Sequence, residues 1–594
     1  MKSLKHINKY FFKYRWRLFL GVVFVGISNY YAVDGFAYAR KAVDFIKNNA
    51  ANPDKDYLMN ELLQYGAIIL GVAVLSGIFL FLTRQSIIVM SRLIEFDLKN
   101  EIYSKYQQLD TAFYKSSNTG DMMNRISEDV SRVRMYIGPA VMYILNTFFR
   151  FTLTITAMLS VDATLTLYVL IPLPILAGSI YIVSDIINKK GIQIQEQLSD
   201  ITTHSQEAFS GIRVLKAYGR EDYSISKFET QSTEYRGRTM GLVKTESMFQ
   251  PVMILLIGLS NIFIVFIGGH LAMQGKISYG NIVEFILYVN ALTWPIASLG
   301  WVTSLIQRAA VSQTRINEFL QTKPQIANTS EASAAIEGNI EFKNVSFTYP
   351  DSGIQALKNI SFSVKKGSSL AILGRTGSGK STIANLLCRL YDTDSGEILL
   401  DNKNIKGINL NDIRSQMGYA PQEVFLFSDT ISHNIGFSMN SDAEDQNPES
   451  SQYMEAVEKA AKNAVIYSNI MDFPEKFETI VGERGITLSG GQKQRISIAR
   501  AIINQPKLLI FDDCLSAVDT ETEEEILSNL KQVIMGRTTL IISHRVSSVK
   551  NADNIIVLDH GQIIELGSHL ELINKKGSYF ELFKMQQLEK EIMS

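Results

Sequence analysis

The sequence predicts an α-helical membrane domain of six long transmembrane helices, followed by an α/β domain of the P-loop type. Three observations lead to this fold class. The first half of the chain holds six apolar runs of about 20 residues, the length that crosses about 30 Å of hydrocarbon. The second half holds a glycine-rich loop between an apolar strand and a helix. Farther on, a second apolar strand ends in two aspartates.

The composition agrees with a membrane protein of more than one domain. The chain has 594 residues, of which 46% are hydrophobic and 20% are charged. Its formal net charge of -1 argues against a polyanionic partner, so we expect no nucleic acid. Both cysteines, Cys388 and Cys514, lie in the second half, which excludes a disulfide framework and indicates a reducing, cytosolic setting there. Nothing resembles a cleaved signal peptide, because the first apolar run is too long.

The six apolar runs define the first domain, residues 1–320. The alternative is a set of buried core helices in a soluble protein, which fails on the number and length of the runs together. The runs centre on 18–37, 65–83, 141–159, 165–183, 251–269 and 282–306. A lipid bilayer is therefore an expected partner of this domain.

Basic residues before the first span predict the orientation of the chain. They come without an acidic residue, and cations next to a span favour the cytoplasmic side. They are Lys2, Lys5, Lys9, Lys13, Arg15 and Arg17. With an even number of spans, we expect the N-terminus and the second domain in the cytoplasm. The chain would then be a multi-pass protein of the plasma or inner membrane.

The links between spans are unequal in length. The outer links are short, whereas the inner links, at about 84–136 and 187–245, are long, charged and helical in pattern. Within the first inner link, the polar cluster at 116–121 breaks one helix and offers a cap for the next. Residues 321–337 are polar and predict a linker into the second domain, residues 338–594.

The glycine-rich loop fits the pattern G-x-x-x-x-G-K-[ST], which binds nucleotide phosphates. It comprises Gly374, Arg375, Thr376, Gly377, Ser378, Gly379, Lys380 and Ser381, followed by Thr382. The glycines let backbone N–H groups close on the phosphates, while Lys380 reaches the β/γ oxygens and Ser381 meets magnesium. Residues 369–373 predict a buried strand and 381–390 a helix. The loop therefore lies at a helix N-terminus, where the macrodipole also favours phosphate.

The order of the motifs resembles the ATP-binding cassette family over nearly the whole chain. The loop corresponds to that family's Walker A sequence, and residues 508–511 with Asp512 and Asp513 resemble its Walker B strand. Between them lie the residues that match the family's signature sequence, Leu488, Ser489, Gly490, Gly491 and Gln492. These three motifs in this order are far more specific than the loop alone.

Smaller landmarks of the family occur in the expected order. Tyr349 resembles the aromatic residue that stacks on adenine, and Gln422 resembles the glutamine that senses magnesium and the interface. His544 resembles the switch histidine that contacts the γ-phosphate, and the stretch ending in Asp519 resembles the interface D-loop. Taken singly, Tyr349, Gln422 and His544 have ordinary alternatives, namely a strand-end aromatic, a surface polar residue and a strand-end histidine. Taken in order, those alternatives become improbable together.

The resemblance implies that the chain is half of a transporter. In the family, ATP is held between two cassettes arranged head to tail. Lys380, Asp512 and His544 would therefore face the signature of a partner, while this chain's signature residues face the partner's phosphates. A monomer would leave both sites unfinished.

The resemblance also implies the chemistry of the site, with ATP and Mg²⁺ as cofactors. Ser381, Gln422 and Asp512 are the expected partners of Mg²⁺, directly or through water. Asp513, His544 and Gln422 are the expected catalytic residues, which orient the attacking water and stabilise charge on the phosphate oxygens.

Asp513 departs from the family pattern, which has glutamate there as the base or orienter of the attacking water. Aspartate is shorter by one methylene, so its oxygen falls about 1.5 Å short, and such a misplacement can cost about a hundredfold in rate. The departure resembles heterodimeric multidrug exporters, in which one subunit has a weakened Walker B and an intact signature. We favour a heterodimer, and a homodimer with two slow sites is the alternative.

Three ionisable residues fall in or at the edge of the spans. Arg150, near the middle of the third span, would cost at least about 2.5 kcal/mol if unpaired, so we expect it to face an interior cavity or a partner. A role in contacting substrate and a role in holding helices together are both open. Asp34 and Glu284 lie toward the outer ends of spans, where we expect water to solvate them.

The sequence thus predicts ATP-driven export of a small amphipathic or apolar compound, multidrug-type, by one half of a dimer. A lipid or lipid-linked glycan flippase with the same fold is the nearest alternative. Non-transport cassette ATPases of DNA repair and translation are a remote alternative, because the six spans and the long inner links argue against them.

Overall fold

The computed structural model describes residues 2–49, 54–328, 332–439, 451–482, 488–515 and 520–593. The chain divides into two compact units. The first unit comprises Met1–Gln107 and Gly120–Thr322, and the second comprises Gln108–Thr119 and Lys323–Ser594. A short segment between the second and third spans therefore folds with the C-terminal part of the chain.

Long apolar helices dominate the first unit, as the sequence predicts. Within the described residues, six helices are long and apolar enough to cross a membrane. We call them the first to sixth spans, Arg15–Asn48, Lys55–Gln108, Thr119–Val161, Ala163–Ser210, Glu221–Met273 and Tyr279–Gln321. A 3₁₀ turn at Lys2–Ile7 and a short helix at Asn8–Lys13 precede the first span.

Side-chain caps close two short links between spans. Asp162 ends the third span and accepts a hydrogen bond from the backbone N–H of Leu165, in the first turn of the fourth. Ser278 and Asn281 form a capping box at the start of the sixth span. These polar residues satisfy backbone groups that a helix end would otherwise leave without partners.

The start of the sixth span holds a buried carboxylate. Glu284 is 1% exposed and accepts hydrogen bonds from Asn281 at 3.1 Å and from the Tyr288 hydroxyl at 2.9 Å. Nη1 of Arg40, from the first span, donates to Oε2 of Glu284 at 3.3 Å, the oxygen that also accepts from Asn281. The expectation that water solvates Glu284 is therefore wrong, because residues of two spans satisfy the charge inside the bundle.

Arg150 is partly buried in the third span. It is spaced by four residues from Asn146 and from Thr154, so the three side chains share one helix face. Asn146 accepts a hydrogen bond from Asn29 of the first span at 2.7 Å, and Thr154 is 0% exposed. The face therefore packs inside the bundle. Among the described residues, none forms an ion pair or a side-chain hydrogen bond with Arg150.

Two sheets form the scaffold of the second unit. The strands in chain order are β1 (Ile340–Thr348), β2 (Gln355–Val364), β3 (Ser369–Leu373), β4 (Ser395–Leu400), β5 (Lys403–Asn404), β6 (Met417–Ala420), β7 (Leu508–Asp512), β8 (Thr538–Ser543), β9 (Asn554–Asp559) and β10 (Gln562–Gly567). A four-stranded antiparallel sheet has the order β2-β1-β4-β5. A six-stranded sheet has the order β10-β9-β3-β8-β7-β6, parallel except for the edge strand β10.

Helices pack on these sheets and give the unit its α/β character. Within residues 323–594, the described α-helices are Lys380–Leu387, Leu410–Ser415, Ile431–Gly436, Ser451–Asn463, Tyr467–Met471, Gly490–Ile502, Thr520–Ile534, Val546–Val549, His569–Lys575 and Ser578–Met593. All five residues of β7 are buried, as expected for a central parallel strand with a continuous apolar sequence.

The parallel sheet brings distant motifs to one edge. Strands β3, β6, β7 and β8 all point the same way, so their carboxyl ends lie side by side. The glycine-rich loop follows β3, Gln422 follows β6, Asp513 follows β7 and His544 follows β8. Residues separated by up to 170 positions in sequence thereby form one site.

The segment between the second and third spans makes its own contacts with the second unit. It carries the short helix Thr111–Ser116, which Asp110 caps. The other carboxylate oxygen of Asp110 accepts a hydrogen bond from the backbone N–H of Gln325 at 2.6 Å. The Nζ atom of Lys115 lies 4.7 Å from the centroid of the Tyr349 ring. The break after this helix matches the one that the sequence predicts.

Candidate nucleotide site

The glycine-rich loop connects β3 to the helix Lys380–Leu387. Gly377 and Gly379 have φ angles of 81° and 100°, in the left-handed region that favours glycine. A Cβ atom at Gly379 would also collide with the carbonyl oxygen of Ala356. The loop is therefore a glycine-dependent turn that ends at a helix N-terminus, where free backbone N–H groups can receive phosphate oxygens.

The side chain of Lys380 folds back over this loop. Its Nζ donates to the carbonyl oxygens of Gly374 and Arg375, both at 2.9 Å. Burial lowers the pKa of Lys380, and the negative charges of Asp513 and Asp512 oppose that shift. Among the residues that the structure describes, the ammonium has only backbone carbonyls as hydrogen-bond partners, and a bound triphosphate offers stronger ones.

Ser381 and Asp512 lie together at the bottom of the site. The Ser381 hydroxyl donates to Oδ1 of Asp512 at 2.9 Å, and Asp512 is 2% exposed. Burial raises the pKa of Asp512 to about 6; the hydrogen bond from Ser381 opposes this shift and the charge of Asp513 adds to it. A buried carboxylate of this kind is stabilised by a cation.

The donor set fits magnesium better than a metal held by protein ligands alone. Among the described residues, no three His, Cys, Asp or Glu side chains gather into a metal-binding cluster. A serine hydroxyl and a single buried carboxylate, Ser381 and Asp512, are the kind of partial oxygen set that Mg²⁺ completes with water and phosphate oxygens.

Asp513 lies between Gln422 and His544. Its Oδ1 and Oδ2 atoms are 2.9 Å and 3.1 Å from Nδ1 of His544, and the Gln422 Nε2 atom is 3.5 Å from Oδ2. The backbone of Asp513 has a φ of 46°, and its N–H donates to the carbonyl oxygen of Ile542 at 2.8 Å. The structure therefore brings together the three residues that the sequence assigns to catalysis.

Tyr349 is held against the helix that follows the loop. Its hydroxyl lies 3.1 Å from the Thr382 hydroxyl and accepts a hydrogen bond from Asn385 at 3.3 Å. Two aromatic rings, Phe347 and Tyr391, meet it edge to face at 5.0 Å and 5.4 Å. The predicted adenine-stacking residue is thus next to the phosphate loop and fixed by its neighbours.

The signature residues form an exposed helix N-terminus. Ser489 and Gln492 make a capping box at the start of the helix Gly490–Ile502, with hydrogen bonds of 3.2 Å and 2.9 Å. Ser489 and Gly490 are exposed, whereas Leu488 is buried and anchors the segment. Gly491 adds no side chain to this exposed helix end. Asp519 and the rest of the stretch 516–519 lie outside the described residues.

Glu523 is a residue of this region that the sequence did not indicate. It is 1% exposed and accepts hydrogen bonds from Arg545 at 2.7 Å, from Ser547 at 3.1 Å and from Ser548. It thereby holds the segment that follows His544. Its position shortly after the D-loop stretch was the only available signal, because its partners lie more than 20 residues away.

Comparisons with known proteins point to one family for both units. Residues 19–296 match the family described as ABC transporter transmembrane region, and residues 357–516 match the family described as ABC transporter. The chain is 38% identical over 495 residues to an uncharacterized ABC transporter ATP-binding protein of Bacillus subtilis, YknU, covering 82% of each protein. It is 31% identical to the multidrug resistance-like ATP-binding protein MdlA of Escherichia coli, over 98% of this chain and 96% of that protein.

Two further matches bear on function and fold. The chain is 33% identical to an ATP-dependent lipid A-core flippase of Pseudomonas fluorescens, over 90% of this chain and 87% of that protein. A solved structure of a bacterial Atm1-family ABC exporter with ATP bound superposes with a TM-score of 0.78. The two sequences are 26% identical, with 96% of this chain and 98% of that chain covered. The fold, six apolar helices followed by an α/β nucleotide-binding domain, is that of these exporters.

Proposed function

The chain belongs to the ATP-binding cassette (ABC) exporter family as a half-transporter, and we propose that it exports an amphipathic or apolar compound as one half of a dimer. As a member of that family it is a multi-pass membrane protein that binds ATP and couples its hydrolysis to transport. The observation that carries the proposal is a phosphate loop, a buried Asp512 and the group Gln422–Asp513–His544 at one sheet edge of a chain that also has six apolar spans.

Each residue at the sheet edge has a proposed task toward ATP. Lys380 leaves its two carbonyl partners and binds β/γ oxygens, while Tyr349 stacks on the adenine. Ser381 and Asp512, with Gln422 through water, hold Mg²⁺, which neutralises charge on the phosphate oxygens. The phosphates receive backbone and hydroxyl donors from the remaining residues of the loop, Gly374 to Gly379, and from Thr382.

The hydrolytic step is assigned to Asp513 and His544. In this proposal, Asp513 orients the attacking water and His544 contacts the γ-phosphate. The hydrogen bond between them, 2.9 Å from Oδ1 to Nδ1, fixes the imidazole ring. Asp513 lacks one methylene of the usual glutamate, so we propose that the site on this chain is weak.

A second chain completes each ATP site in this proposal. The exposed N-terminus of the signature helix, with Ser489 and Gly490 open to solvent, supports this arrangement. An intact signature beside a weakened Walker B suits a heterodimer, whose other half carries the glutamate. A tagged copy of this chain, purified from membranes under mild conditions, should therefore bring down a second half-transporter; recovery of this chain alone as an active dimer would favour the homodimer.

The cargo is proposed from the membrane unit. Its spans are apolar, and the cations before the first span favour a cytoplasmic N-terminus and cassette, with export outward across the plasma or inner membrane. A relative named as a multidrug protein and one named as a lipid A-core flippase both match over most of the chain. We propose the small amphipathic cargo and keep the flippase as the second candidate.

Transport by reconstituted protein separates these two candidates. Liposomes containing the assembled dimer should move an amphipathic fluorescent dye in a reaction that needs ATP and Mg²⁺. The same liposomes should leave a fluorescently labelled phospholipid in its leaflet. The matched control is the Ser489→Arg assembly, which keeps the membrane unit unchanged. ATP-dependent movement of the lipid without movement of the dye would replace the exporter proposal by the flippase.

A further inference from the structure

The segment after His544 is held from a second side by the C-terminal helix, Ser578–Met593. One side-chain amide, that of Gln586, makes two hydrogen bonds to the backbone on either side of Arg545. Its Oε1 atom accepts from the N–H of Val546 at 2.7 Å, and its Nε2 atom donates to the carbonyl oxygen of His544 at 2.8 Å. Both separations are those of well-formed hydrogen bonds.

The C-terminal helix is itself fixed in place. Tyr579, Leu582, Phe583 and Gln586 are spaced at i, i+3, i+4 and i+7, so they share one helix face. Tyr579 is 0% exposed and belongs to a buried cluster with Val546 and Val549, against which Leu582 and Phe583 pack. Gln586 therefore lies at the end of a packed apolar face, next to the backbone groups of His544 and Val546 that it binds.

Three different side chains hold the imidazole of His544, its carbonyl group and the side chain of the next residue, Arg545. Asp513 binds Nδ1 of the imidazole, Gln586 binds the carbonyl oxygen of His544, and Glu523 binds the side chain of Arg545. Loss of Gln586 would release only the backbone and leave the other two contacts in place. The position of the imidazole would then depend on the contacts of Asp513 and Glu523 and on the packing of Val546, without the two backbone hydrogen bonds.

We propose that Gln586 is a positioning residue for His544. The C-terminal helix would thereby set the geometry of residues 544–548, which we call the switch segment, during hydrolysis. The proposal rests on the role of His544 at the γ-phosphate given above. Gln586 touches no phosphate-loop residue in its two hydrogen bonds, so its effect should fall on the step in which His544 acts and leave ATP binding intact.

The test uses the full chain in its membrane assembly and reads the site on this chain directly. The probe is radiolabelled 8-azido-ATP, photolinked to this chain after trapping with vanadate. Photolinking on ice without vanadate reports binding alone. Hydrogen exchange of the Val546 amide reports whether its hydrogen bond to Gln586 is intact. The variants are Gln586→Ala, Gln586→Glu, His544→Ala and, as the matched control on the exposed side of the same helix, Gln587→Ala.

We expect Gln586→Ala to lower vanadate trapping on this chain about tenfold, with binding on ice unchanged. This factor lies between the effect of losing one net hydrogen bond and the hundredfold cost of a misplacement of about 1 Å. Exchange of the Val546 amide should become faster in Gln586→Ala and stay slow in Gln586→Glu, which keeps the acceptor. Gln587→Ala should behave as the wild type in every measurement.

Three results would overturn either this inference or the role of His544 on which it rests. If His544→Ala abolishes trapping while Gln586→Ala leaves it unchanged, or if Gln586→Ala weakens binding in the cold as much as trapping, Gln586 is not a positioning residue. If His544→Ala itself leaves trapping intact, the proposed role of His544 fails, and the inference built on it fails with it.

Discussion

Replacing Asp513 by glutamate should raise ATP turnover at the site on this chain. The Asp513 carboxylate reaches His544 at 2.9 Å but stops 3.5 Å from Gln422, at the long limit of a hydrogen bond. Glutamate adds one carbon–carbon bond, about 1.5 Å, and so extends the carboxylate beyond the reach of aspartate.

The size of the effect follows from the same geometry. A misplacement of about 1 Å can cost a hundredfold, so Asp513→Glu should raise turnover at this site by about tenfold to a hundredfold. Asp513→Ala should lower it by no more than about tenfold, because the aspartate is too short to orient the water and contributes mainly its hydrogen bond to His544. The main-chain hydrogen bond from Asp513 to Ile542 does not involve the side chain, so the glutamate variant retains this support for the left-handed backbone.

The assay is phosphate release by the assembled dimer, combined with vanadate trapping of photoactive ATP on this chain alone. Asp513→Asn is the matched control, because it keeps the length of the side chain and removes only the charge. A glutamate variant no faster than the wild type, together with near-complete loss in the alanine variant, would show that Asp513 is already an effective base. The homodimer would then be the better proposal.

The other predictions concern the partner site, the membrane unit and the pH dependence of stability. Ser489→Arg should remove most ATPase activity of the dimer and Lys380→Ala appreciably less, because Ser489 completes the partner's site in the proposed heterodimer. Arg150→Ala should alter cargo-stimulated ATPase activity or transport while nucleotide binding stays nearly intact. The raised pKa of Asp512, from 3.8 to about 6, means that its neutral form contributes stability that is complete below pH 3.8 and is lost as the pH rises through about 6. Asp512→Asn should therefore raise the thermal unfolding midpoint of the nucleotide-free protein at pH 7, flatten its pH dependence and remove the stabilisation by Mg²⁺ and ATP.

Each of these expectations has a contrary outcome. Equal and complete losses for Ser489→Arg and Lys380→Ala in a dimer of this chain alone would contradict the asymmetric arrangement. An Arg150 side chain that projects into the hydrocarbon region, with no protein or water around it, would exclude its proposed interior location. An unfolding midpoint of Asp512→Asn that follows the wild type between pH 4 and pH 7 would show that Asp512 titrates near its ordinary value.

Local patterns were sufficient to predict the phosphate loop, and the resemblance to the ATP-binding cassette family supplied the other candidate site residues. The loop from Gly374 to Ser381 has a strict spacing, since its turn needs glycine at fixed positions. Gln422, Asp513 and His544 each follow a short apolar run, and a parallel sheet necessarily collects the ends of such strands at one edge. The six spans were predictable because the bilayer demands long apolar runs.

Contacts between distant side chains were not predictable in this way. Glu284 is satisfied by Arg40, 244 residues away, and nothing in the neighbourhood of either residue signals the pair. Glu523 and Gln586 act on the same switch segment through tertiary contacts of 22 to 42 residues in sequence separation. Helical and strand periodicity in a single sequence relate only neighbouring residues, so only the folded chain reveals such pairs.

The docking of Gln108–Thr119 on the second unit has a consequence for biosynthesis. The polypeptide passes from one unit to the other three times, after residues 107, 119 and 322. The ribosome therefore makes twelve residues of the second unit more than 200 residues before the rest of it. A fragment that starts at Lys323 would lack the carboxylate that binds the Gln325 amide and the short helix that covers Tyr349. A simple truncation at Lys323 would therefore leave these contacts unmade, and a fusion that restores the short helix would supply them.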